Sequence, residues 1–572
     1  MAQLVRDQVS NLIVAGLHAA QEKGALPEFE TPPVVVERPR QLEHGDYASP
    51  VCLQLAKAAN PPGVKGSAAT MSPRQIAMQV VEHIPPAPFV GQVEVAGPGY
   101  INLTLNVDWL AAQVEAILDA GESFGALDIG RGRRYQVEFV SANPTGPLHV
   151  GSVRNAVIGD TLVSLLAAAG FEVEREYYVN DAGSQIRHFG ESVYARYAQA
   201  LGRDEPFPEN GYRGDYVVEM GRQIAREEGN RYLDLPRREA VRALGREGIA
   251  RVLAEMRRDL ADLGVEFDTW FHEKSLYESG LFDRMLEALR DGGHIVERDD
   301  ATWFTTPDLE ADAVLIRSPR VIPEPDERPT YLASDVAYVW DKLVERGFDK
   351  AIYVWGADHH GDAPRVKAAA RALGLDPERV VIILYQLVSL KRGGEEVRMS
   401  KRAGEFVTLR ELLDEVGPDP IRFMLLTCTV DSTMDFDLDL AVEQSDKNPV
   451  FYVQYAHARI ASILRHAVDL GWDTEAAGDV SLLTHESELA LIRKMLELPE
   501  IVALAATQLA PHHLTFYAQE LAAVFSAFYR DCHVVAPEEP ERTQARLMLT
   551  RAARLTLART LNLLGVSAPE RM

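Results

Sequence analysis

The chain has 572 residues, which is too long for one hydrophobic core and predicts about three or four domains. Hydrophobic residues make up 47% of it and charged residues 25%, as in soluble globular proteins rather than disordered chains. The net charge of −26 is opposite to the basic footprint of most nucleic-acid-binding proteins, so a nucleic-acid partner would need a local basic face.

The first 118 residues form one predicted N-terminal domain. They begin with a helical pattern, and the segments 37–50 and 60–73 are rich in proline; the second, which also contains glycine, is predicted to be a loop. The region ends in GPGYINLTL (97–105), which is typical of a strand. Helix and strand signals therefore occur together in this domain.

Residues 119–439 form the predicted central domain. YQVEFVS (135–141) alternates like a strand, ANPTGP (142–147) is a turn, and residues 150–170 have a long apolar helical face. Between about 190 and 300, amphipathic patterns such as EGIARVLAEMRRDLADLG predict a helical insertion.

The first candidate functional motif is HVGS, at the end of EFVSANPTGPLHVGS (138–152). The predicted order of strand, turn and helix places His149 at a helix N-terminus, where backbone N–H groups and the helix dipole attract phosphate. Gly151 leaves room for a nucleotide to approach the backbone. A histidine in such an isolated motif is more often structural, but the surrounding elements favour the phosphate-binding interpretation.

The second motif, RMSKR (398–402), follows about 250 residues later. The apolar run VVIILYQLVSL (380–390) predicts a buried strand before it, and Gly393 and Gly394 permit the intervening loop to move. The loop concentrates the cations of Lys391, Arg392, Arg398, Lys401 and Arg402. It could be a solvated basic loop, but its pairing with the first motif favours phosphate contact, because adenylyl transfer depends on charge neutralisation and positioning.

Residues 440–572 are predicted to form a helix bundle. The segments 485–510 and 512–532 have apolar residues at three- and four-residue spacing. Basic residues near helical spacing follow: Arg542, Arg546, Arg551, Arg554 and Arg559. On charge alone a solvated helix face is the favoured interpretation, and a nucleic-acid contact is the alternative.

Cysteine content and hydropathy indicate the compartment. Cys52, Cys428 and Cys532 provide neither a disulfide framework nor a paired zinc spacing, which favours a reducing cytoplasm. Arg6 and Asp7 interrupt the first apolar stretch, unlike a signal peptide, and the run at 380–390 is too short to span a bilayer. We expect a cytoplasmic protein without a membrane partner.

On these motifs the chain resembles the arginyl-tRNA synthetases, a family of class I aminoacyl-tRNA synthetases. EFVSANPTGPLHVGS is similar to the family's HIGH signature, and RMSKRAGEFVTL (398–409) to its KMSKS signature. Further similar segments occur in order along essentially the whole chain: TYLASDVAYVWDKL (330–343), YVWGADHHGDAPRVKAAARALG (353–374), NPVFYVQYAHARI (448–460) and the final LGVSAPERM.

The resemblance implies an α/β multidomain protein. Its Rossmann-type catalytic domain (119–439), split by a helical insertion (about 190–300), would lie between an N-terminal α+β domain (1–118) that contacts tRNA and a C-terminal all-α bundle (440–572) that binds the anticodon. It also implies a monomeric enzyme. Arginine and ATP, with Mg²⁺ on the nucleotide, would form arginyl-adenylate, and the arginyl group would pass to a ribose hydroxyl of the cognate tRNA.

The resemblance assigns the reaction centre by position. His149 and Lys401 would stabilise the α-phosphate and the departing pyrophosphate. Ser152 stands where the signature usually has a second histidine, and Arg398 replaces the first lysine of the other signature. Asp358, His359 and His360 look like a metal cluster, but they match the family's adenosine-side loop better, so we expect no metal there. The ATP-binding residues it implies are Pro147, Gly151, Gly356, Asp358, His359, Met399 and Ser400.

Arginine selection has a physical requirement, because a planar guanidinium with five donors is best recognised by carboxylates. Glu138 and Asp335 match the family positions that hold the substrate guanidinium, Tyr331 matches an aromatic partner, and Asn143 matches a contact to the amino-acid backbone end. Asp335 could instead be a helix cap, since TYLASDVAYVW resembles a helix start. The resemblance favours the substrate role.

The tRNA contacts are also carried over by position. Tyr455 and Arg459, four residues apart, would share one helix face, and with Met572 they match anticodon-reading positions. Tyr100 and Asn102 match contacts of the N-terminal domain to the D-loop. Ordinary packing or solvation is the alternative for each.

Two other functions are compatible with the motifs. One is an adenylyl-transferring enzyme that does not use tRNA, although such an enzyme needs neither the N-terminal domain nor the bundle. The other is a non-catalytic tRNA-binding relative. Only the departure at Ser152 supports it, while His149 and Lys401 are intact.

Overall fold

A computed structural model describes residues 4–59, 71–322, 328–397 and 407–572. Five residues of the second motif, Arg398, Met399, Ser400, Lys401 and Arg402, lie outside the described residues. The residues on both sides of that gap are described.

The helices are α1 (Val5–Glu22), α2 (Val51–Ala59), α3 (Pro73–His83), α4 (Val107–Ala120), α5 (Val150–Ala168), α6 (Ser184–Ala200), α7 (Asp215–Glu228), α8 (Arg237–Asp262), α9 (Lys274–Glu278), α10 (Leu281–Asp291), α11 (Tyr331–Trp340), α12 (Ala363–Ala372), α13 (Leu409–Val416), α14 (Pro418–Met424), α15 (Leu438–Val442), α16 (Pro449–Asp469), α17 (Glu486–Met495), α18 (Leu498–Gln508), α19 (His512–Asp531) and α20 (Pro540–Leu563). The strands are β1 (Tyr47–Ser49), β2 (Val90–Ala96), β3 (Tyr100–Leu105), β4 (Arg134–Glu138), β5 (Glu172–Val179), β6 (Thr269–His272), β7 (Ile295–Arg298), β8 (Ala301–Phe304), β9 (Ala313–Ile316), β10 (Lys350–Gly356), β11 (Val380–Tyr385), β12 (Val388–Arg392), β13 (Glu395–Glu396) and β14 (Met434–Asp437).

The N-terminal region combines helices with a small antiparallel sheet, as predicted. Its three strands lie in the order β1-β3-β2, with α1, α2 and α3 packed near them. Ser72 and Gln75 form a reciprocal capping box that fixes the start of α3. The predicted strand in GPGYINLTL is β3, the centre of this sheet.

The central region contains a five-stranded parallel sheet in the order β11-β10-β4-β5-β6. The chain builds outward from β4 through β5 to β6 and then returns to β10 and β11 on the other side of β4. The strand order therefore reverses between β4 and β10. In open α/β sheets, ligands bind in the crevice outside the carboxyl ends of the strands at such a point.

Helix α5 connects β4 to β5 and lies within the core. Among the described residues it is the one helix long and apolar enough to cross a membrane, but 78% of its apolar window is buried in the protein. Gly159 allows the close packing, because a Cβ there would lie 2.1 Å from the Phe139 ring. Its apolar character is thus accounted for by core packing.

The predicted helical insertion is only partly helical. Helices α6, α7 and α8 occupy 184–262, but β6 then supplies an edge strand of the parallel sheet, and β7, β8 and β9 form a separate antiparallel sheet. These strands have only four residues each, too few for their periodicity to stand out in the sequence. The apolar run 380–390 likewise contains two strands, β11 and β12, which belong to different sheets.

The C-terminal region is the predicted all-α bundle, but its arginines do not form one solvated face. Arg546 is largely buried and donates from Nε to Glu488 Oε1 at 2.7 Å. Arg542 pairs with Glu539, and Arg551 and Arg554 also pair with carboxylates. The solvated-face interpretation is therefore wrong for Arg546, because the helix turns that side chain into the bundle, where an internal carboxylate meets it.

One buried arginine joins the bundle to the core. Arg422, 0% exposed, donates from Nη2 to Asp160 Oδ2 at 2.5 Å and from Nε to the Leu564 carbonyl at 2.9 Å. Asp160 lies on α5, and Leu564 directly follows α20. A Cβ on Gly565 would lie 2.2 Å from the guanidinium, so glycine permits this close approach.

Candidate active site

The candidate site lies at the carboxyl ends of the parallel strands. Glu138 ends β4, Gly356 ends β10, and Glu273 follows β6 directly. Because parallel strands end at one edge of a sheet, residues distant in sequence meet there. The position coincides with the reversal of strand order.

The turn after β4 has an unusual backbone. Val140 and Ser141 have φ values of 65° and 41°, and a β-branched residue is rarely found in that region. Side chains hold the turn in place: Asn155 Oδ1 accepts from the Val140 N–H at 2.6 Å, and the Tyr177 hydroxyl donates to the Ala142 carbonyl at 2.8 Å. The turn between Glu138 and the first motif is therefore rigidly supported.

His149, Gly151 and Ser152 are brought together at the start of α5, with His149 at the N-cap position. The Ser152 N–H donates to the His149 carbonyl at 2.8 Å, and the Ser152 side chain is buried. A Cβ on Gly151 would approach the His149 ring to 3.1 Å, so the space that glycine leaves is beside the imidazole. Pro147 is half-buried just before them.

The chain that follows the second motif is anchored against the first. The Leu409 N–H donates to the Leu148 carbonyl at 2.8 Å, and Thr408 forms a bridge with His149. Thr408 also caps α13 through a capping box with Glu411. The chain that resumes after the second motif thus lies beside His149, about 250 residues away from it in sequence.

Three acidic side chains lie close together near the turn that follows β4. Glu138 is buried, Asp335 on α11 is half-buried, and Glu273 Oε1 accepts from the Ser334 hydroxyl at 2.7 Å. Burial raises the pKa of Asp335 well above its usual range, and the charges of Glu138 and Glu273 raise it further. This acidic pocket of Glu138, Glu273 and Asp335 is costly to bury without a cation and suits a cationic ligand.

The beginning of α11 separates the two interpretations of Asp335. Thr330 is the N-cap, and its hydroxyl accepts from the Ala333 N–H. Asp335 lies more than one turn inside the helix, so the cap interpretation is wrong. Tyr331 is the first helical residue, 56% exposed, and its hydroxyl accepts from Gln185 Nε2 at 2.5 Å.

The remaining predicted small-ligand residues lie at the same edge of the sheet. Asn143 is exposed, and its Oδ1 accepts from Asn180 Nδ2 at 3.1 Å. Gly356 is the last residue of β10, and Asp358 and His359 follow it with exposed side chains. In the part of the chain that the structure describes, no group of three or more His, Cys, Asp or Glu residues could hold a metal ion.

Sequence reasoning missed three residues of the acidic pocket. Glu273 follows a strand too short to detect, and Tyr353 lies inside β10, where it was indistinguishable from core. Lys342 is fully buried and donates to Glu138 Oε2 at 2.9 Å. One signal was available for Lys342, because it follows Asp335 by seven residues, about two helical turns, and so lies on the same side.

An aromatic and basic patch on the bundle contains two predicted tRNA contacts. Tyr455 is 43% exposed, and the guanidinium of Arg459 lies 4.8 Å from the centre of its ring. Arg459 also lies 5.7 Å from the ring of Tyr529, which the sequence did not single out. Met572 is exposed at the end of a tail whose Pro569 carbonyl contacts His457 Nδ1 on α16 at 2.9 Å.

The two candidates of the N-terminal domain differ in accessibility. Both lie on β3, but Tyr100 is half-exposed, whereas Asn102 is only 4% exposed within the centre of the sheet. A direct contact of Asn102 with tRNA would require its neighbours to move. Tyr100 meets no such obstacle.

Three protein-family models match this chain, one in each of the three regions. Residues 5–105 match the model of the arginyl tRNA synthetase N terminal domain, residues 113–422 the class I (R) tRNA synthetase catalytic domain, and residues 453–572 the DALR anticodon binding domain. A parallel sheet with a helix N-terminus at its switch point and this domain order define a class I aminoacyl-tRNA synthetase.

Similar proteins identify the family within the class I aminoacyl-tRNA synthetases. Proteins named arginine--tRNA ligase from Dehalococcoides mccartyi and Heliobacterium modesticaldum are each 46% identical to this chain, and the alignments cover at least 99% of both partners. The arginyl-tRNA synthetase structure from Thermus thermophilus has the same fold, with a TM-score of 0.76 over the whole of both chains at 24% identity. The chain belongs to the arginyl-tRNA synthetase family.

Proposed function

We propose that this protein attaches arginine to its cognate tRNA through an arginyl-adenylate. The observation that carries the proposal is the acidic pocket of Glu138, Glu273 and Asp335 beside the helix N-terminus at His149. Carboxylates suit a guanidinium, and a helix N-terminus suits the phosphates of ATP. One site would thus bind both substrates of the first step.

In the first step the arginine carboxylate attacks the α-phosphorus of ATP and pyrophosphate leaves. We propose that Asp335, Glu138 and Tyr331 hold the side chain and that Asn143 holds the backbone end. His149 would stabilise the charge that develops on the α-phosphate, with Ser152 as a weaker donor. Gly356, Asp358 and His359 would border the adenosine, with Pro147 and Gly151 close to the nucleotide.

The second motif completes this proposal. Lys401, Met399 and Ser400 would contact the phosphates, and Thr408 and Leu409 support this because they lie against the first motif. Mg²⁺ would enter with the substrate as MgATP, because this ion is held largely by phosphate oxygens and water. In the second step a terminal ribose hydroxyl of tRNA attacks the arginyl carbonyl and AMP leaves.

We propose three functional regions, 1–118, 119–439 and 440–572, for tRNA contact, catalysis and anticodon binding. One chain carries all three, which supports a monomer. The scattered cysteines support a location in the reducing cytoplasm, where we propose that the protein acts without a membrane partner. Light scattering of the purified protein tests the monomer. A stable dimer at working concentration would contradict it.

The decisive experiment is ATP–pyrophosphate exchange with arginine, run with and without tRNA. Arginine-dependent exchange is expected, and we propose that it requires tRNA, as the family resemblance implies. Exchange without tRNA would refute only that dependence. No exchange, combined with retained tRNA binding, would instead favour a non-catalytic tRNA-binding protein. Exchange with arginine but no transfer to tRNA would favour an adenylyl-transferring enzyme of another kind.

Arginine binding is expected to release protons at pH values where Asp335 of the free protein is still partly protonated. Burial and its acidic neighbours raise the pKa of Asp335, and a guanidinium beside it would lower that pKa again. The carboxyl therefore loses a proton as the ligand binds, up to about one per site. Calorimetric titration in two buffers of different ionisation enthalpy measures this release, and the Asp335→Asn variant is the control. Identical binding heats in both buffers would contradict the prediction.

The patch at Tyr455 and Arg459 is expected to contribute to tRNA affinity. The Arg459→Gln variant should bind tRNA about tenfold more weakly, since a stacked or phosphate-contacting arginine contributes about 1–3 kcal/mol. Affinity should also fall steeply with salt. Filter binding with cognate and altered anticodons measures both effects. Arg465→Gln is the matched control, because Arg465 lies on the same helix and pairs with Glu570.

Equal weakening of Arg459→Gln for cognate and altered anticodons would limit Arg459 to phosphate contact. An unchanged affinity would remove the patch from the proposed tRNA interface.

A further inference from the structure

Lys342 is the unusual feature of the acidic pocket. It is a fully buried lysine whose Nζ donates to Glu138 Oε2 at 2.9 Å. The ammonium also lies 3.7 Å from the ring centres of both Tyr338 and Tyr353. It is therefore held between two aromatic faces and one carboxylate.

Stability alone does not account for this arrangement. Taking an ammonium and a carboxylate out of water is costly, and a buried ion pair often stabilises a fold no more than apolar residues of similar size. Burial lowers the pKa of Lys342, although the Glu138 and Glu176 carboxylates oppose that shift. Since the pair adds little to stability, the positive charge of Lys342 is better explained by its effect on the neighbouring carboxylates.

The local backbone also departs from regular helix. After α11 the chain continues in a π-helical turn over Asp341–Glu345, and Lys342 lies in that turn. Such turns are rare and frequently occur at functional sites. A second ion pair joins Arg346, the residue directly after that turn, to the buried Glu176 at 2.5 Å, so Glu176 has a cation of its own.

We propose that Lys342 is a positioning residue for arginine: its ammonium orients the Glu138 carboxylate and offsets part of the negative charge that Asp335 shares with its neighbours. This inference rests on the proposed function. Lys342 would not touch the substrate, because the rings and Glu138 surround its ammonium. It would act through Glu138 by contact and through Asp335 by charge.

The groups facing Asp335 determine the expected pH dependence. The carboxylates of Glu138, Glu273 and Asp362 raise its pKa, and Lys342 is the cation that lowers it. Three phenols also lie near enough to be affected by its charge: those of Tyr178, Tyr277 and Tyr353. Without Lys342 the pKa of Asp335 should rise further. As pH falls, Asp335 would then lose its charge at a higher pH than in the wild-type protein.

The test compares Lys342→Met and Lys342→Arg with wild type in tRNA-supported pyrophosphate exchange from about pH 6 to 9, a range that spans neutral pH. Lys342→Met should raise the KM for arginine about 30-fold, as expected for a lost charged hydrogen bond, and leave the KM for ATP near its normal value. The acid limb of kcat/KM for arginine should move to higher pH. Lys342→Arg should return the limb toward the wild-type position.

Arg346→Met is the control, because it removes a nearby, partly exposed cation that follows the same turn and pairs with carboxylates other than Glu138. It should lower the melting temperature without moving the acid limb. Equal increases in both KM values with an unshifted limb in Lys342→Met would make Lys342 merely structural and overturn the inference.

The Glu138→Gln background provides a second test that holds if Lys342→Met alone does not fold. With no carboxylate to orient, adding Lys342→Met should raise the arginine KM by less than about threefold, far less than in the wild-type background. A further increase of about 30-fold in the arginine KM, the size expected for a lost charged hydrogen bond, would overturn the inference. If the wild-type protein shows no arginine-dependent exchange, the proposed function and the inference both fail. If the wild type is active but the variants behave otherwise than expected, only the inference about Lys342 fails.

Discussion

Replacing His149 with alanine is expected to slow adenylation by about 10²–10³-fold, the cost of removing a preorganised donor from developing negative charge. His149 occupies the N-cap of α5, beside the space that Gly151 leaves and beside Thr408, which follows the second motif in the chain. The helix N-terminus adds backbone donors directed at the same point. Single-turnover adenylation with tRNA present measures the change.

Ser152→Ala is the internal comparison for His149. Ser152 is buried in the first turn of α5, and its hydroxyl can contribute one neutral hydrogen bond. Loss of that hydroxyl should slow adenylation on the order of tenfold. If Ser152→Ala were as damaging as His149→Ala, the serine would be a primary catalytic group. If neither variant slowed adenylation, the non-catalytic interpretation would gain support.

Asp335→Asn is expected to reduce kcat/KM for arginine by about 2–4 kcal/mol, or roughly 30- to 10³-fold, with little change in the KM for ATP. The substitution keeps the shape of the side chain but removes a charge next to Glu138 and Glu273. An amide cannot replace a carboxylate opposite a guanidinium, because it supplies one acceptor oxygen in place of two.

The control for Asp335 is Asp341→Asn, on the following turn. Asp341 Oδ2 pairs with Arg346 Nη1 at 3.3 Å outside the acidic cluster, so its loss should lower stability and have little effect on arginine selection. Steady-state kinetics with each substrate varied in turn separates the two cases. Equal damage to arginine and ATP use by Asp335→Asn would show that Asp335 is structural.

Several features could be predicted because they depend on neighbours in sequence. The order strand, turn, helix around His149 is local, and β4 and α5 confirm it. The bundle and the parallel sheet with helices also agree with the prediction. The local patterns failed where elements were short: β6 has four residues, and the run at 380–390 broke into two strands. Periodicity needs several residues to be recognised.

The acidic pocket shows the limit of this reasoning. Glu138 and Asp335 were singled out by resemblance to a family. Glu273 carries no local signal of its role, and Lys342 carries only its seven-residue spacing from Asp335. Their contacts cross 61 residues, from Glu273 to Ser334, and 204 residues, from Lys342 to Glu138. Only the alignment of strand ends at one edge of the sheet brings such residues together.

The sequence by itself indicated the class of chemistry, because each of the two motifs is a short run of neighbouring residues that resembles a family signature. It also determined the helices of the bundle through their apolar spacing. The tertiary structure decided which charges meet: Lys342 with Glu138, Arg546 with Glu488, and Arg422 with Asp160. The physical reason is that a buried charge is tolerated only where a partner lies within hydrogen-bond distance, and that distance is determined by packing rather than by position in the chain.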